Sequence, residues 1–350
     1  MRPDEPVIHV YRDEVPDWLP SPDVYFTSGY GRAASVPEGG VWILIEAFDG
    51  AWQVPLIVRT LEDGSKDAIS PYGYSGVFAS TALSASQVQQ AWSATVSQLR
   101  QCGVISALIR HSPLVHQARH LPGLRQIVSG HPTIVLEAAD NDSAWSGMAG
   151  TCRTTIRKAL KNGYTSSVRQ AATQDLAPDG DFRRIYEKTM HRLDAAPEYF
   201  FNDDYYRALL DGLGSNLIVS EVRDQMGVVA SSGLLMRHDE RLHGHLGGSN
   251  VADARMGATN LLTWAEMKYA IEHGIRQYHL GGGLGPRDSL FKFKRSFGGR
   301  ELEYDVSGLI VDDPSYQAHS RSRSAECDIS VEALLATNFF PAYRGRTVDV

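Results

Sequence analysis

The first clear pattern along the chain is a pair of apolar, β-branched-rich runs at residues 41–48 (VWILIEAF) and 52–59 (WQVPLIVR). Asp49-Gly50 lies between them, the strongest short-range hairpin signal. After the turn-rich stretch SPYGYSG at 70–76, the apolar positions change period. Val88, Trp92, Val96 and Leu99 recur at three- and four-residue spacing and predict an amphipathic helix over 83–102. Gly103 ends it, and 104–109 (VISALI) reads as a strand. The second half repeats this order, with strands at 216–222, 227–236 and 241–247, a helix over 257–273, and a strand at 276–280 that runs into Gly281-Gly282-Gly283. Helices at 152–162, 181–193 and 203–213 precede it. Strands flanking a helix pair in parallel only through a crossover connection, which that helix supplies. The pattern predicts an α/β protein of two similarly built domains, a duplication that rests on element order, because sequence self-similarity is faint. The boundary is placed near Ala149-Gly150. Residues 313–328 are polar without periodicity and read as an exposed linker. Val331, Leu334, Leu335, Phe339 and Phe340 predict a tail that packs back on the first domain.

Composition narrows the class. With 350 residues, 43% hydrophobic and 21% charged, the chain suits two medium domains and excludes a disordered tail, a collagen-like fibre or a disulfide miniprotein. There is no eighteen-residue apolar run, hence no membrane span is expected. The start, MRPDEP, is too acidic and polar for a leader. Cys102, Cys152 and Cys327 are odd in number and far apart, which points to a reducing cytosol, and no Cys/His spacing fits zinc.

The net charge of −7 argues against nucleic acid only until it is divided along the chain. Residues 1–50 hold nine acids against three bases, so the rest is close to neutral. Only seven lysines stand beside twenty-seven arginines, the bias of a GC-rich genome, and four of the seven fall at Lys158, Lys161, Lys292 and Lys294. The helix at 152–162 puts Arg153, Arg157 and Lys161 on one face, where like charges repel unless an anion such as phosphate meets them. An ordinary solvated face is the simpler account of any charge run. In DSLFKFKRSFGG (288–299), Asp288 suits a helix N-cap. Some of Phe291, Phe293 and Phe297 must be buried, so Lys292, Lys294 and Arg295 emerge beside them. A lysine there serves as a point charge on a phosphate or a developing oxyanion, or simply as part of a basic loop over the sheet edge. The run Gly281-Gly-Gly-Leu-Gly285 matches neither a dinucleotide fingerprint nor a P-loop, and a tight exit from the sheet explains it. Residues 255–259 (RMGAT) only faintly resemble the pyrophosphate loop of coenzyme A-dependent N-acetyltransferases. His243 and His245 alternate on a strand face and read first as half-buried sheet residues, with a general base as the sharper option.

The span Tyr269–Gly299, with YHLGGG followed by DSLFKFKRSFGG, resembles the Fem-type aminoacyltransferases that build peptidoglycan cross-bridges. So do ISPYGYSG (69–76), TCRTTIRKALKNG (151–163), YEKTMHRLDAAPEYFF (186–201) and GGSNVADARMGATNLLTWAEMKYA (247–270). The resemblance implies two tandem GNAT-like domains (a mixed twisted sheet flanked by helices) with a cleft between them. These are a first, acceptor-side domain at 1–149, a second at 150–312 carrying the Phe-Lys motif, and a linker and tail at 313–350. It also implies transfer of an amino acid from aminoacyl-tRNA, a co-substrate with no bound cofactor or metal, to a primary amine of a peptide acceptor. That acceptor is a peptidoglycan precursor or a peptide-antibiotic intermediate. Lys294 takes the role of the lysine that supports the reacting ester, with Phe293 and Lys292 beside it. Tyr72 and Tyr74 fall at acceptor positions of the first domain. Arg157, Lys158, Arg192, Tyr199 and Asn260 fall at substrate-binding positions of the second. Two departures stand out: Ser296 replaces a glycine common in the motif, and no helical coiled-coil arm is present. The implied enzyme is a cytoplasmic monomer. Its alternatives are an N-acyltransferase using a coenzyme A thioester and a non-catalytic binding module of the same fold.

Overall fold

The computed structural model describes residues 6–137, 139–283, 285, 287–337 and 339–345. The acidic start at 1–5, Leu284 of the glycine-rich run and residues 346–350 lie outside the described residues. Chain contacts divide into two units, one made of the residues up to Gly130 together with those from Tyr304 on, the other of His131–Glu303.

In the first unit, β1 (His9–Arg12) precedes α1 (Ser28–Glu38), whose start is capped by the Thr27 side chain and whose end is Gly39 in the left-handed region. β2 (Val41–Ala47) and β3 (Trp52–Thr60) form the hairpin that Asp49-Gly50 predicts, and Phe48, Asp49 and Gly50 all take positive φ. β4 (Lys66–Ile69) and the short β5 (Phe78–Ala79) follow. α2 (Ala85–Gln101) then opens with a reciprocal capping box between Ser84 and Gln87. It crosses to β6 (Val104–Arg110), which pairs in parallel with β4. β7 (Leu124–Leu136) crosses the boundary between the units.

The second unit continues with α3 (Asn141–Gly147), α4 (Gly150–Lys161), β8 (Thr165–Gln170), α5 (Thr173–Leu176), α6 (Asp181–Arg192) and α7 (Asp203–Leu213). β9 (Leu217–Arg223), β10 (Val229–His238) and β11 (Arg241–Ser249) form an antiparallel meander. α8 (Val251–Met256) and α9 (Ala258–Glu272) lead to β12 (Gln277–Gly282), parallel to β11, and α10 (Ser289–Arg295) leads to β13 (Arg300–Ile310). α11 (Asp313–Glu326) and α12 (Val331–Ala336) return to the first unit.

The strands of the two units follow one plan. The first runs β1-β2-β3-β4-β6-β13, antiparallel throughout except for the parallel β4–β6 step, and the second runs β8-β9-β10-β11-β12-β7 with β11–β12 as its parallel step. The first parallel step is bridged by α2 and the second by α8 and α9, with α9 the longer. The duplication predicted from element order is therefore matched strand by strand, and these are two GNAT-like domains. The closing strands are exchanged. β13, which follows β12 in the chain, pairs with β6, while β7, which follows β6, pairs with β12.

Each unit buries its own core. Trp52, Trp92, Leu56, Ile109 and Leu309 belong to the first, and Ile156, Leu235, Leu261, Tyr278, Phe291 and Phe297 to the second. The expected linker at 313–328 is corrected to helix α11. Asp312 caps it, Pro314 occupies its first turn, and Tyr316, Ser320 and Ser324 form its buried stripe. Two serines in a three-residue stripe leave no hydropathy signal, so the period escapes a sequence reading. The tail beyond α12 stacks Phe340 on Tyr316 and sends Arg344 to Asp67. Asp67 is fully buried, and Arg59 reaches it as well, Nε to Oδ1 at 2.8 Å. Removing one partner of a buried ion pair strands the others. Asp67→Ala is therefore expected to lower unfolding stability by about 3–5 kcal/mol, as measured by urea denaturation followed by circular dichroism.

Candidate active site

In the second unit the parallel pairing of β11 with β12 ends at His243 and His279, yet β11 runs on to Ser249 and β12 to Gly282. The parallel ladder between the two strands goes no further among the described residues, which opens a split in the sheet. Gly281 takes φ +71 at a register shift against β7. A Cβ on Gly282 would lie 2.7 Å from the Pro132 carbonyl oxygen, and one on Gly283 would lie 2.1 Å from the Asp288 carboxylate. The glycine run thus makes a crowded exit from the sheet, as the plainer sequence reading has it.

The exit delivers the chain to α10. Asp288 caps it as expected, accepting hydrogen bonds from the amides of Phe291 at 2.8 Å and Gly285 at 3.1 Å. Phe291 and Phe297 are buried in the core and Phe293 packs partly against it. The lysines then separate. Lys292 stays exposed, while Lys294 folds inward and its Nζ donates to the Gly282 carbonyl at 2.6 Å. This corrects the expectation that Lys292, Lys294 and Arg295 all emerge together. Burial of the ammonium outweighs the attraction of nearby Asp288 and pushes the Lys294 pKa down to about 8. Arg287 and Arg295 both bind Glu301, and Arg300 binds Glu137, so most of the basic segment at 287–300 is neutralised internally.

The N-terminus of α4 joins the C-terminus of α10 through the Ala149 amide on the Ser296 carbonyl at 2.9 Å. The four cations of α4 have no carboxylate partners among the described residues. Arg153 donates to the carbonyl of Ser146, Arg157 lies over the Trp145 ring at 5.1 Å, Lys158 Nζ donates to the Arg255 carbonyl at 2.9 Å, and Lys161 is exposed. Trp145 also meets Trp264 of α9 at 5.3 Å, and Lys268 sits over Trp264. Sequence reading missed this part of the surface. Trp264 and Lys268 are four residues apart on one helix, which was the available signal.

Asn260, in the first turn of α9, reaches Cys152 of α4 with its Nδ2 at 3.5 Å. Arg192 is exposed in the last turn of α6, and the half-buried Tyr199 accepts on its carbonyl from the Tyr186 hydroxyl at 2.8 Å. Helix α6 packs on β10 and β11, with the Thr189 hydroxyl on the Ser249 amide. Lys294, Phe293 and Lys292 thus share α10, which adjoins the α4 that carries Arg157 and Lys158. Tyr72 and Tyr74 belong to the first unit. Beneath the site, the buried Glu266 of α9 accepts from Ser220 at 2.5 Å and Tyr278 at 2.6 Å, fastening the crossover helix to the sheet. His245 falls at a bulge in the β10–β11 register and meets the Tyr205 hydroxyl at 2.6 Å. Desolvation, with His243 nearby, drives its pKa down to about 3, so it is a poor proton acceptor near neutrality.

A lysine whose ammonium is disfavoured in the native state leaves a mark on stability. Below about pH 8 both folded and unfolded chains hold the proton and the penalty is complete. Between about 8 and its ordinary 10.5 only the unfolded chain still holds it, so native stability rises with pH. The stability of the wild type relative to Lys294→Met is therefore expected to rise across that window, read from urea titrations at pH 7 and pH 10.

Residues 150–295 match a family model described as an acetyltransferase (GNAT) domain. No curated protein sequence matches the chain. Among solved structures, FemX is similar at 14% identity, with 86% of this chain and 95% of that chain covered and a TM-score of 0.64. The C-terminal domain of a putative lysylphosphatidylglycerol synthetase from Agrobacterium fabrum follows at 14% identity, covering 80% and 86%, with a TM-score of 0.51. L-PGS from Bacillus licheniformis, at 12% identity, covers 80% and 86% with a TM-score of 0.51. No described helix is long and apolar enough to cross a membrane, and no described cluster of His, Cys, Asp and Glu could hold a metal ion. Residues 150–295 thus match an acetyltransferase (GNAT) domain, and the chain as a whole has the fold seen in FemX.

Proposed function

We propose that the protein is a cytoplasmic, monomeric aminoacyltransferase that moves an amino acid from aminoacyl-tRNA onto a primary amine of a peptide acceptor, either a peptidoglycan precursor or a peptide-antibiotic intermediate. The observation that carries this reading is Lys294, an ammonium drawn in beside the split in the sheet and held on the Gly282 carbonyl. In the reaction, the acceptor amine attacks the ester carbonyl that joins the amino acid to the tRNA ribose. A C–N bond forms, the ester C–O bond breaks, and the amine proton ends on the ribose oxygen. The tetrahedral oxyanion between these steps is stabilised by a cation already in place, and Lys294 can turn an N–H toward it without first shedding water. Phe293, its neighbour in the chain, packs against Phe297 and the core, and no nucleophilic side chain or bound cofactor is required. The carboxylate-free cations of α4, including Arg157 and Lys158, suit the phosphates of tRNA, with Arg192, Tyr199, Lys292 and Asn260 as further substrate contacts. Tyr72 and Tyr74 serve the acceptor.

The coenzyme A reading is weakened by Gly257. A Cβ there would lie 2.5 Å from the Thr155 carbonyl oxygen, so this glycine of the RMGAT segment is needed for packing of α8 and α9 against α4.

Labelled amino acid is expected to pass from charged tRNA to a peptide amine, and RNase is expected to abolish the transfer. Transfer indifferent to RNase, or saturable calorimetric binding of coenzyme A, overturns the reading. Lys294→Met is expected to lower turnover about 10²–10³-fold in single-turnover assays. Arg157→Ala and Lys161→Ala are each expected to weaken tRNA binding and to reduce the slope of log K against log salt by about 0.7–0.9, measured by filter binding over a salt series.

A further inference from the structure

Arg110 ends β6 in the first unit, on the edge of the loop that carries Tyr72 and Tyr74. Its backbone is fixed on both sides, since its amide donates to the Ser70 hydroxyl at 3.1 Å and it stands opposite Val306 in the β6–β13 ladder. The loop itself is built around aromatic rings. The Tyr30 hydroxyl donates to the Tyr72 carbonyl, Tyr25 packs edge-on to Tyr30 and Tyr74, and Tyr74 packs edge-on to Tyr304. Gly73 takes φ +116, and a Cβ there would sit 2.1 Å from the Tyr25 ring. The chain is thus held so that the Tyr72 side chain is exposed, at 41% of its surface.

Against this frame the Arg110 guanidinium is under-used. Its Nε is buried without a hydrogen bond, its Nη1 makes only a long contact of 3.4 Å to the Gly73 carbonyl, and no carboxylate pairs with it among the described residues. Its Cζ lies 6.0 Å from the centre of the Tyr72 ring. Buried donors in native proteins are nearly always satisfied, by the protein itself, by ordered water or by a bound ligand. A planar guanidinium beside an exposed aromatic ring takes oxyanions by paired N–H donors, and the ring packs against whatever carries the anion.

We propose that Arg110 and Tyr72 form an oxyanion-binding site in the first unit, which takes a carboxylate or phosphate borne by the acceptor. The identification of the ligand as the acceptor rests on the aminoacyltransferase reading, whereas the anion site itself does not. Arg110 is a binding residue that recognises charge on the substrate remote from the reacting amine, so its loss acts on acceptor affinity and leaves the chemical step at saturation alone.

Calorimetry on the full chain tests the site without tRNA. The probes are the peptide acetyl-Ala-Glu-Lys with free carboxylates, the same peptide fully amidated, and inorganic pyrophosphate. The wild type is expected to bind the free-acid peptide or pyrophosphate saturably and the amidated peptide at least about tenfold more weakly. Preference between the two anions tells a peptide carboxylate from a phosphate. Arg110→Gln is expected to lose about tenfold or more for the preferred anion, with Arg110→Lys in between. Tyr72→Ala, at an exposed ring, provides a second variant should Arg110→Gln melt early, and it is expected to weaken binding several-fold. Equal affinities in wild type, Arg110→Gln and Tyr72→Ala overturn the proposal, as does absence of binding by either anion. Binding that depends on Arg110 in a protein that transfers nothing from charged tRNA leaves the site standing and removes only its assignment to an aminoacyl acceptor.

Discussion

Two parallel strands cannot be joined by a tight turn, and this constraint shapes both units. Each needs a helix to carry the chain back, α2 in one and α9 in the other, and each helix must be fastened to the sheet it crosses. In the second unit the fastening is the buried Glu266, bonded to hydroxyls from β9 and β12. Burial raises its pKa, and the two hydroxyl donors supply the hydrogen bonds that a carboxyl group in that position needs. With the helix anchored, β11 and β12 are free to part beyond His243 and His279. The glycine exit, α10 and the inward turn of Lys294 all follow from that parting.

The parts of this design that repeat locally were visible in the sequence. The β2–β3 hairpin announces itself through Asp49-Gly50, and α2 through Val88, Trp92, Val96 and Leu99. The N-cap at Asp288 was also legible, because it depends only on neighbours within one helical turn. What escaped depends on distant partners. β7 has an exposed first half and a buried second half, so neither alternation nor a continuous apolar run marks its full length. α11 hides its buried face behind serines. The opposite fates of Lys292 and Lys294 were only half legible: two residues apart on a helix they point to nearly opposite sides, but which side meets the protein is decided by the end of β12, where Lys294 finds the Gly282 carbonyl.

The charge pattern was half legible. A scarcity of lysine drew attention to 158–161 and 292–294, and the structure separates the two by their carboxylates. Glu301 and Glu137 absorb the arginines of one segment, whereas α4 meets only carbonyls and a tryptophan ring. A basic run in sequence is thus a statement about a surface only after its ion pairs are drawn. Arg110 presents the reverse case. As one arginine at the end of an apolar strand it drew no attention, and its interest comes from the acceptor it lacks.

The exchange of closing strands has a consequence for the order in which the protein is made. Domains generally fold as units while they emerge from the ribosome, beginning at the N-terminus. Here the first unit cannot complete its sheet until the second has been made, because β13, α11 and the Arg344 partner of Asp67 follow the second unit in the chain. The middle of the chain, by contrast, holds its own closing strand as soon as β7 has been made. Of the two units, the one begun earlier is therefore finished later, and while the second unit is being made the nascent chain carries an open β6 edge and an Asp67 without its full set of cations. An unpaired edge is a template for aggregation, which makes the segment that follows the second unit the one on which safe delivery of the first unit depends.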